Sequence, residues 1–177
     1  ECETLSVSPS GSGTPTTDWT ESSFSDYRGW PRTVCFFRRR LCWGGNESEP
    51  DRLWASLTDN VYHLMAERLE QDKGSSTDVT GNNYFGDPSD DDPFDVLVGD
   101  QETSQITWMT PLRSLNIGTL KSEYVSQGAF NITNIAFLPQ TAFGGYATQP
   151  ARVNNHVLYI TRDGRRMRNF RYSESNG

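Results

Sequence analysis

Residues Val157-Leu158-Tyr159-Ile160-Thr161-Arg162-Asp163-Gly164-Arg165-Arg166-Met167-Arg168-Asn169-Phe170-Arg171-Tyr172 decide how this chain is read. Two strand-like runs, one apolar throughout at Val157–Ile160 and one carrying Met167, Phe170 and Tyr172 among arginines, flank an Asp-Gly pair. Alternation puts one set of side chains on each face of a strand, and Asp-Gly supplies the positive φ angles of a two-residue type I′ turn. The stretch therefore predicts an antiparallel hairpin. Its register sets Ile160 opposite Met167 and Val157 opposite Phe170, two apolar pairs at cross-strand distance.

The same texture extends upstream. Phe94-Asp95-Val96-Leu97-Val98, Gln105-Ile106-Thr107-Trp108-Met109 and residues 112–120, 122–126 and 129–138 are strand-like runs parted by Gly99-Asp100, Thr110-Pro111 and Gly128. Thr33-Val34-Cys35-Phe36-Phe37, Arg38-Arg39-Arg40 and Leu41-Cys42-Trp43 read as a hairpin with a basic tip or a disulfide-closed loop. Leu53 to Thr58 reads as a strand, and the spacing of Val61, Leu64, Met65 and Leu69 as a short helix. The expected fold is all-β, mainly antiparallel: a β-sandwich or β-barrel with one or two short helices and long loops.

Composition agrees. Nine prolines and fifteen glycines cut 177 residues into short elements, and aromatics reach 12% while the apolar fraction is only 34%, so the core must be built from large rings and β-branched residues. Residues 1–28 are Ser/Thr/Pro-rich and read as a flexible tether, leaving 29–177 as one β-rich domain. Glu1-Cys2-Glu3 does not open a signal peptide, and the chain reads as a mature product or an excised fragment. No run of 18 apolar residues occurs, so no membrane insertion is expected.

The net charge of −7 disfavours nucleic acid as a partner. Lys73 and Lys121 are the only lysines among 16 basic residues, and arginine is the residue of planar, forked or stacked contacts. Arg162, Arg165, Arg166, Arg168 and Arg171 crowd the terminal hairpin, where they could meet an acidic glycan, a phosphate backbone or the chain's own acidic run Asp87–Asp95. That run lacks the EF-hand glycine and terminal glutamate, and reads as a solvated loop rather than a calcium site. Cys35 and Cys42 are spaced for a short disulfide, with reduced thiols as the alternative. Asn46-Glu47-Ser48 and Asn131-Ile132-Thr133 are glycosylation sequons.

Catalytic signatures are missing. His63 and His156 have no metal-ligand spacing, and no nucleophile elbow, phosphate loop or dinucleotide fingerprint occurs. The expectation is a non-enzymatic binding domain without cofactor or metal. Its candidate contact residues are rings beside glycine: Trp43 before Gly44-Gly45, Tyr84-Phe85 before Gly86, and Phe143 and Tyr146 around Gly144-Gly145. Rings at adaptable loop tips bury much area at little rotamer entropy.

The Ser/Thr/Pro/Gly segment at residues 4–17, Asp51-Arg52-Leu53-Trp54-Ala55-Ser56-Leu57-Thr58 as an opening strand, and the short strands from Phe94 to Tyr172 together resemble the protruding, receptor-binding domains of small non-enveloped virus capsids, of the astrovirus spike or hepevirus protruding-domain type. The resemblance implies a homodimeric β-sandwich or barrel on the virion surface. It would attach to a host cell-surface protein or glycan, be bound by neutralising antibodies, and leave both sequons unused. The rival expectations are a small secreted glycan-binding or glycan-active domain, and a coat protein whose arginines touch nucleic acid.

Overall fold

The computed structural model describes residues 23–62, 90–99 and 103–171. All regular structure among them is strand: β1 (Thr33–Phe37), β2 (Arg40–Gly44), β3 (Arg52–Ala55), β4 (Phe94–Leu97), β5 (Ile106–Pro111), β6 (Leu115–Thr119), β7 (Glu123–Gln127), β8 (Ala136–Thr141), β9 (Ala151–Val153), β10 (His156–Ile160) and β11 (Met167–Phe170). They form three antiparallel sheets, ordered β1-β2-β3-β4, β5-β6-β7-β8 and β11-β10-β9. The arrangement is a sandwich, and the sheets do not close into a barrel. The helix expected after Val61 lies outside the described residues.

The sheet β5–β8 carries apolar packing on both faces. Towards β1–β4, Ile106, Met109, Leu115 and Ile117 join Cys35, Phe37, Cys42, Leu53, Phe94 and Phe130 in one cluster. On the other face, Trp108 and Val125 meet Val157, Tyr159 and Phe170 of the three-stranded sheet. Two-sided burial explains why Ile106-Thr107-Trp108-Met109-Thr110 is buried throughout instead of alternating. A register shift between Ile106 and Trp108 lets this strand serve both clusters. The fully buried Trp108 indole lies across Gly118, where an added Cβ would come within 2.0 Å of the ring.

The terminal hairpin has the expected register, with Val157 opposite Phe170 and Ile160 opposite Met167. Its turn differs from the expected type I′. Only Gly164 has positive φ, at 69°, while Gly164 N–H donates to Thr161 O at 2.8 Å and Thr161 N–H to Arg166 O at 2.9 Å. The reason is local competition. Asp163 Oδ1 accepts from the Thr161 hydroxyl at 2.5 Å and from Arg165 N–H at 3.2 Å, which closes a longer turn around the carboxylate. Those donors also hold the Asp163 carboxyl below its ordinary pKa.

The two-residue turn with both φ positive lies elsewhere, at Arg38 (47°) and Arg39 (65°) between β1 and β2. Left-handed backbone costs an L-residue roughly 1–2 kcal/mol. The three arginines of this segment separate completely. Arg38 lies with its Cζ 5.6 Å from the Phe37 ring centroid, and Arg39 Nε donates to Asp59 Oδ1 at 2.5 Å. Arg40 opens β2 with its side chain buried, donating to the carbonyls of Ser56 (2.5 Å), Asp92 (2.8 Å) and Asp90 (2.5 Å).

Candidate functional site

The segment of residues 142–150 joins β8 to β9 and is fastened to the sheets by its own backbone. Gly145 N–H donates to Thr119 O at 2.7 Å, Tyr146 N–H to Ile160 O at 2.9 Å, and Arg162 N–H to Gly144 O at 3.0 Å. Gly144 has φ +73°, and a Cβ there would stand 2.1 Å from Leu120 O. A Cβ on Gly145 would stand 2.2 Å from Trp108 Nε1. Only glycine permits this approach, so the loop is pressed flat on the molecule and the flanking rings turn outward. Phe143 is 47% exposed and Tyr146 49%.

The terminal hairpin completes the surface. The Arg168 guanidinium lies over the Phe143 ring, 3.4 Å from its centroid, and the Tyr146 ring borders Gly164. Met167 is 70% exposed, and Arg162, Arg165 and Arg166 are exposed beside it. Beneath the loop, Glu123 is fully buried on β7 and its Oε2 accepts from the Thr141 hydroxyl and, at 3.3 Å, from Phe143 N–H. Burial first, and the neighbouring Glu123 carboxylate second, push the Tyr159 hydroxyl up to about 12. This polar layer holds the backbone from which Phe143 projects.

The described part of the acidic run contacts β2, β3 and the connection between β7 and β8. Asp90 and Asp92 present backbone carbonyls to Arg40, Asp95 pairs with Arg52, and Asp90 Oδ1 accepts from Asn131 Nδ2 at 2.6 Å. Burial lowers the Arg40 pKa, opposed most strongly by Asp91. Among the described residues no group of three His, Cys, Asp or Glu side chains could hold a metal ion. His156 Nδ1 lies 2.8 Å from Asn169 Oδ1 at the exposed edge of β10 and β11. No helix of the described residues is long and apolar enough to cross a membrane.

The other candidate residues are dispersed. Trp43 lies within β2, not at a loop tip, half-buried with Trp54 as its strand partner and Phe24 at 6.5 Å. Its glycine neighbours permit close packing rather than display: a Cβ on Gly44 would meet Ile106 and Thr33 at 2.9 Å. Tyr84 and Phe85 lie outside the described residues. Cys35 and Cys42 are strand partners across β1 and β2, both buried and both thiols. The hydrogen bond to Cys35 and burial raise the Cys42 pKa strongly.

Both sequon asparagines are buried and engaged. Asn46 Nδ2 donates to Ser23 O at 2.7 Å and its Oδ1 accepts from Glu49 N–H at 2.6 Å. Asn131 Oδ1 accepts from Asn134 N–H at 2.9 Å, while its Nδ2 holds Asp90. No protein-family model matches the chain, and no curated protein matches it.

Proposed function

We propose that this chain is the surface-exposed attachment domain of a viral capsid, which contacts a host cell-surface protein or glycan through the Phe143–Tyr146 platform and its arginines. The observation that carries the reading is two half-exposed rings held outward by a rigid backbone, with a guanidinium stacked on one of them. Preorganised rings spend little entropy on binding, and Tyr, Trp and Arg dominate interface energetics. Exposed Arg162, Arg165 and Arg166 favour an acidic patch on the partner.

Engagement of both sequon amides in buried turns supports a chain that folds outside the secretory pathway, and so favours the capsid reading over a secreted lectin-like domain. Neutralising antibodies would recognise the same platform, and the domain would act as a homodimer on the virion. The deciding experiment replaces Phe143 and Tyr146 together by Ala and measures cell attachment beside melting temperature. Loss of attachment with the fold intact is the expected result; unchanged attachment refutes the platform.

A further inference from the structure

We propose that the platform around Phe143 and Tyr146 takes a sulfated glycan and grips its sulfate groups with the arginines of the terminal hairpin. This names the ligand class of the attachment site and rests on the attachment reading above. Residues 162–168 carry Arg162, Arg165, Arg166 and Arg168 against Asp163, four positive charges to one negative and a local net of +3, on a chain of net charge −7. Arg162, Arg165 and Arg166 are exposed. The pairing of β10 with β11 runs on through the bond from Thr161 N–H to Arg166 O at 2.9 Å, so strand alternation turns Arg166 and Arg168 to the same face. Arg168 lies over Phe143, and the Tyr146 ring stands 3.9 Å from where a Cβ on Gly164 would be, so rings and guanidiniums adjoin.

Three properties of this surface select the ligand. First, every basic side chain of the hairpin is arginine, and a guanidinium forks onto two oxygens of a tetrahedral oxyanion where an ammonium offers a point charge. Second, the positive strip is short. Duplex nucleic acid carries a charge about every 1.7 Å of its axis and gains little from so brief a match on an acidic chain, whereas a polysaccharide sulfated in clusters needs only a local one. Third, Phe143 and Tyr146 are 47% and 49% exposed, and aromatic rings suit the C–H face of a pyranose, which an acidic peptide does not present. The surface is also set before any ligand arrives. Phe143 is held from below by the bond from its N–H to Glu123 Oε2 at 3.3 Å, and Arg168 is held by its contact with the ring.

The test titrates the full chain calorimetrically with a heparin hexasaccharide, beside the same hexasaccharide stripped of sulfate, a polyglutamate peptide of matched charge and a single-stranded oligonucleotide of matched charge. Saturable binding in the micromolar range is expected from the sulfated hexasaccharide, and binding about tenfold weaker or less from each of the other three. Arg165→Gln with Arg166→Gln should weaken the sulfated hexasaccharide about tenfold or more with the melting temperature held, since both side chains are exposed. Arg38→Gln with Arg39→Gln removes the same charge from the β1–β2 turn and should leave the affinity within about twofold. The Phe143/Tyr146 double alanine variant should bind it about tenfold more weakly. Equal binding by any of the three comparison ligands, or undiminished binding by the Arg165/Arg166 or the Phe143/Tyr146 variant, would overturn the proposal. Its failure is separable from that of the platform. Attachment of the parent chain to chlorate-treated cells, whose glycans are undersulfated, at the level seen on untreated cells would sink the sulfated ligand alone, whereas unchanged attachment of the Phe143/Tyr146 variant to untreated cells would sink the platform.

Discussion

The Arg168 guanidinium sits 3.4 Å from the centroid of the Phe143 ring, so the cation stacked on the exposed platform comes from a strand 25 residues further along the chain. Stacking fixes both groups and spares the ring some of the entropy it would lose on meeting a partner.

Phe143→Ala with Tyr146→Ala should therefore weaken attachment by on the order of 2 kcal/mol, about 30-fold. Both rings are already about half exposed, so the melting temperature should fall by only a few degrees. A fall of more than about 10 °C would assign the rings to the core, where each truncation costs about 3–5 kcal/mol.

Arg40→Ala should destabilise the chain by about 3 kcal/mol, since it removes donors to three carbonyls, and the melting temperature should drop by about 6–12 °C. Arg40→Lys keeps the charge but cannot fork, and should fall between the two. Chemical denaturation compares all three proteins; equal midpoints would show that Arg40 is dispensable.

The raised Tyr159 pKa has a definite sign in stability. The folded chain holds the phenolic proton up to about pH 12 and the unfolded chain only to about 10, so the contribution is complete below pH 10 and lost as pH rises through 12. Melting curves across that window should decline more steeply for the parent than for Tyr159→Phe. Parallel curves would remove Tyr159 from this account.

Cys35 and Cys42 face each other at a spacing that a disulfide can span. Material folded under oxidising conditions should contain the Cys35–Cys42 bond, worth roughly 2.5 kcal/mol by loop entropy. In the reduced folded protein both should react slowly with thiol reagents, because both are buried and Cys42 resists ionisation. Peptide mapping that finds both alkylated without prior reduction in the oxidised material contradicts the first expectation.

Asn46→Ala should cost about 2 kcal/mol, leaving Glu49 N–H and Ser23 O without their side-chain partner. Soluble folded protein from glycosylating cells should carry no sugar at Asn46 or Asn131, checked by intact mass before and after glycosidase. A glycan on either would mean that its turn forms without the amide contacts described.

The terminal register was legible because alternation and a turn signal agreed, and the outward rings were legible because Gly144-Gly145 leaves nothing between them to pack. Other features depend on partners that sequence neighbours do not reveal. Residues 129–138 read as one strand, yet Asn131 closes a turn with Asn134 and Ile135 and delays β8 to Ala136. β9 escaped notice because its three residues are all exposed and show no apolar alternation. Arg40 looked like part of a basic tip, although its place two residues before Cys42 puts it on the inward face. Trp43 looked exposed because glycines follow it, but those glycines serve contacts with Ile106 and Pro50.

Thr58 N–H donates to Asp91 O at 3.1 Å, close to where Arg40 grips Asp90 and Asp92. These bonds fasten together two points of the chain with more than thirty residues between them. Closing a longer loop between fixed ends costs only about 0.6 kcal/mol per doubling of its length. The Thr58–Asp91 clasp thus ties the ends of β3 and β4 together at an entropic cost that depends little on how many residues lie between them, and the pairing keeps its register.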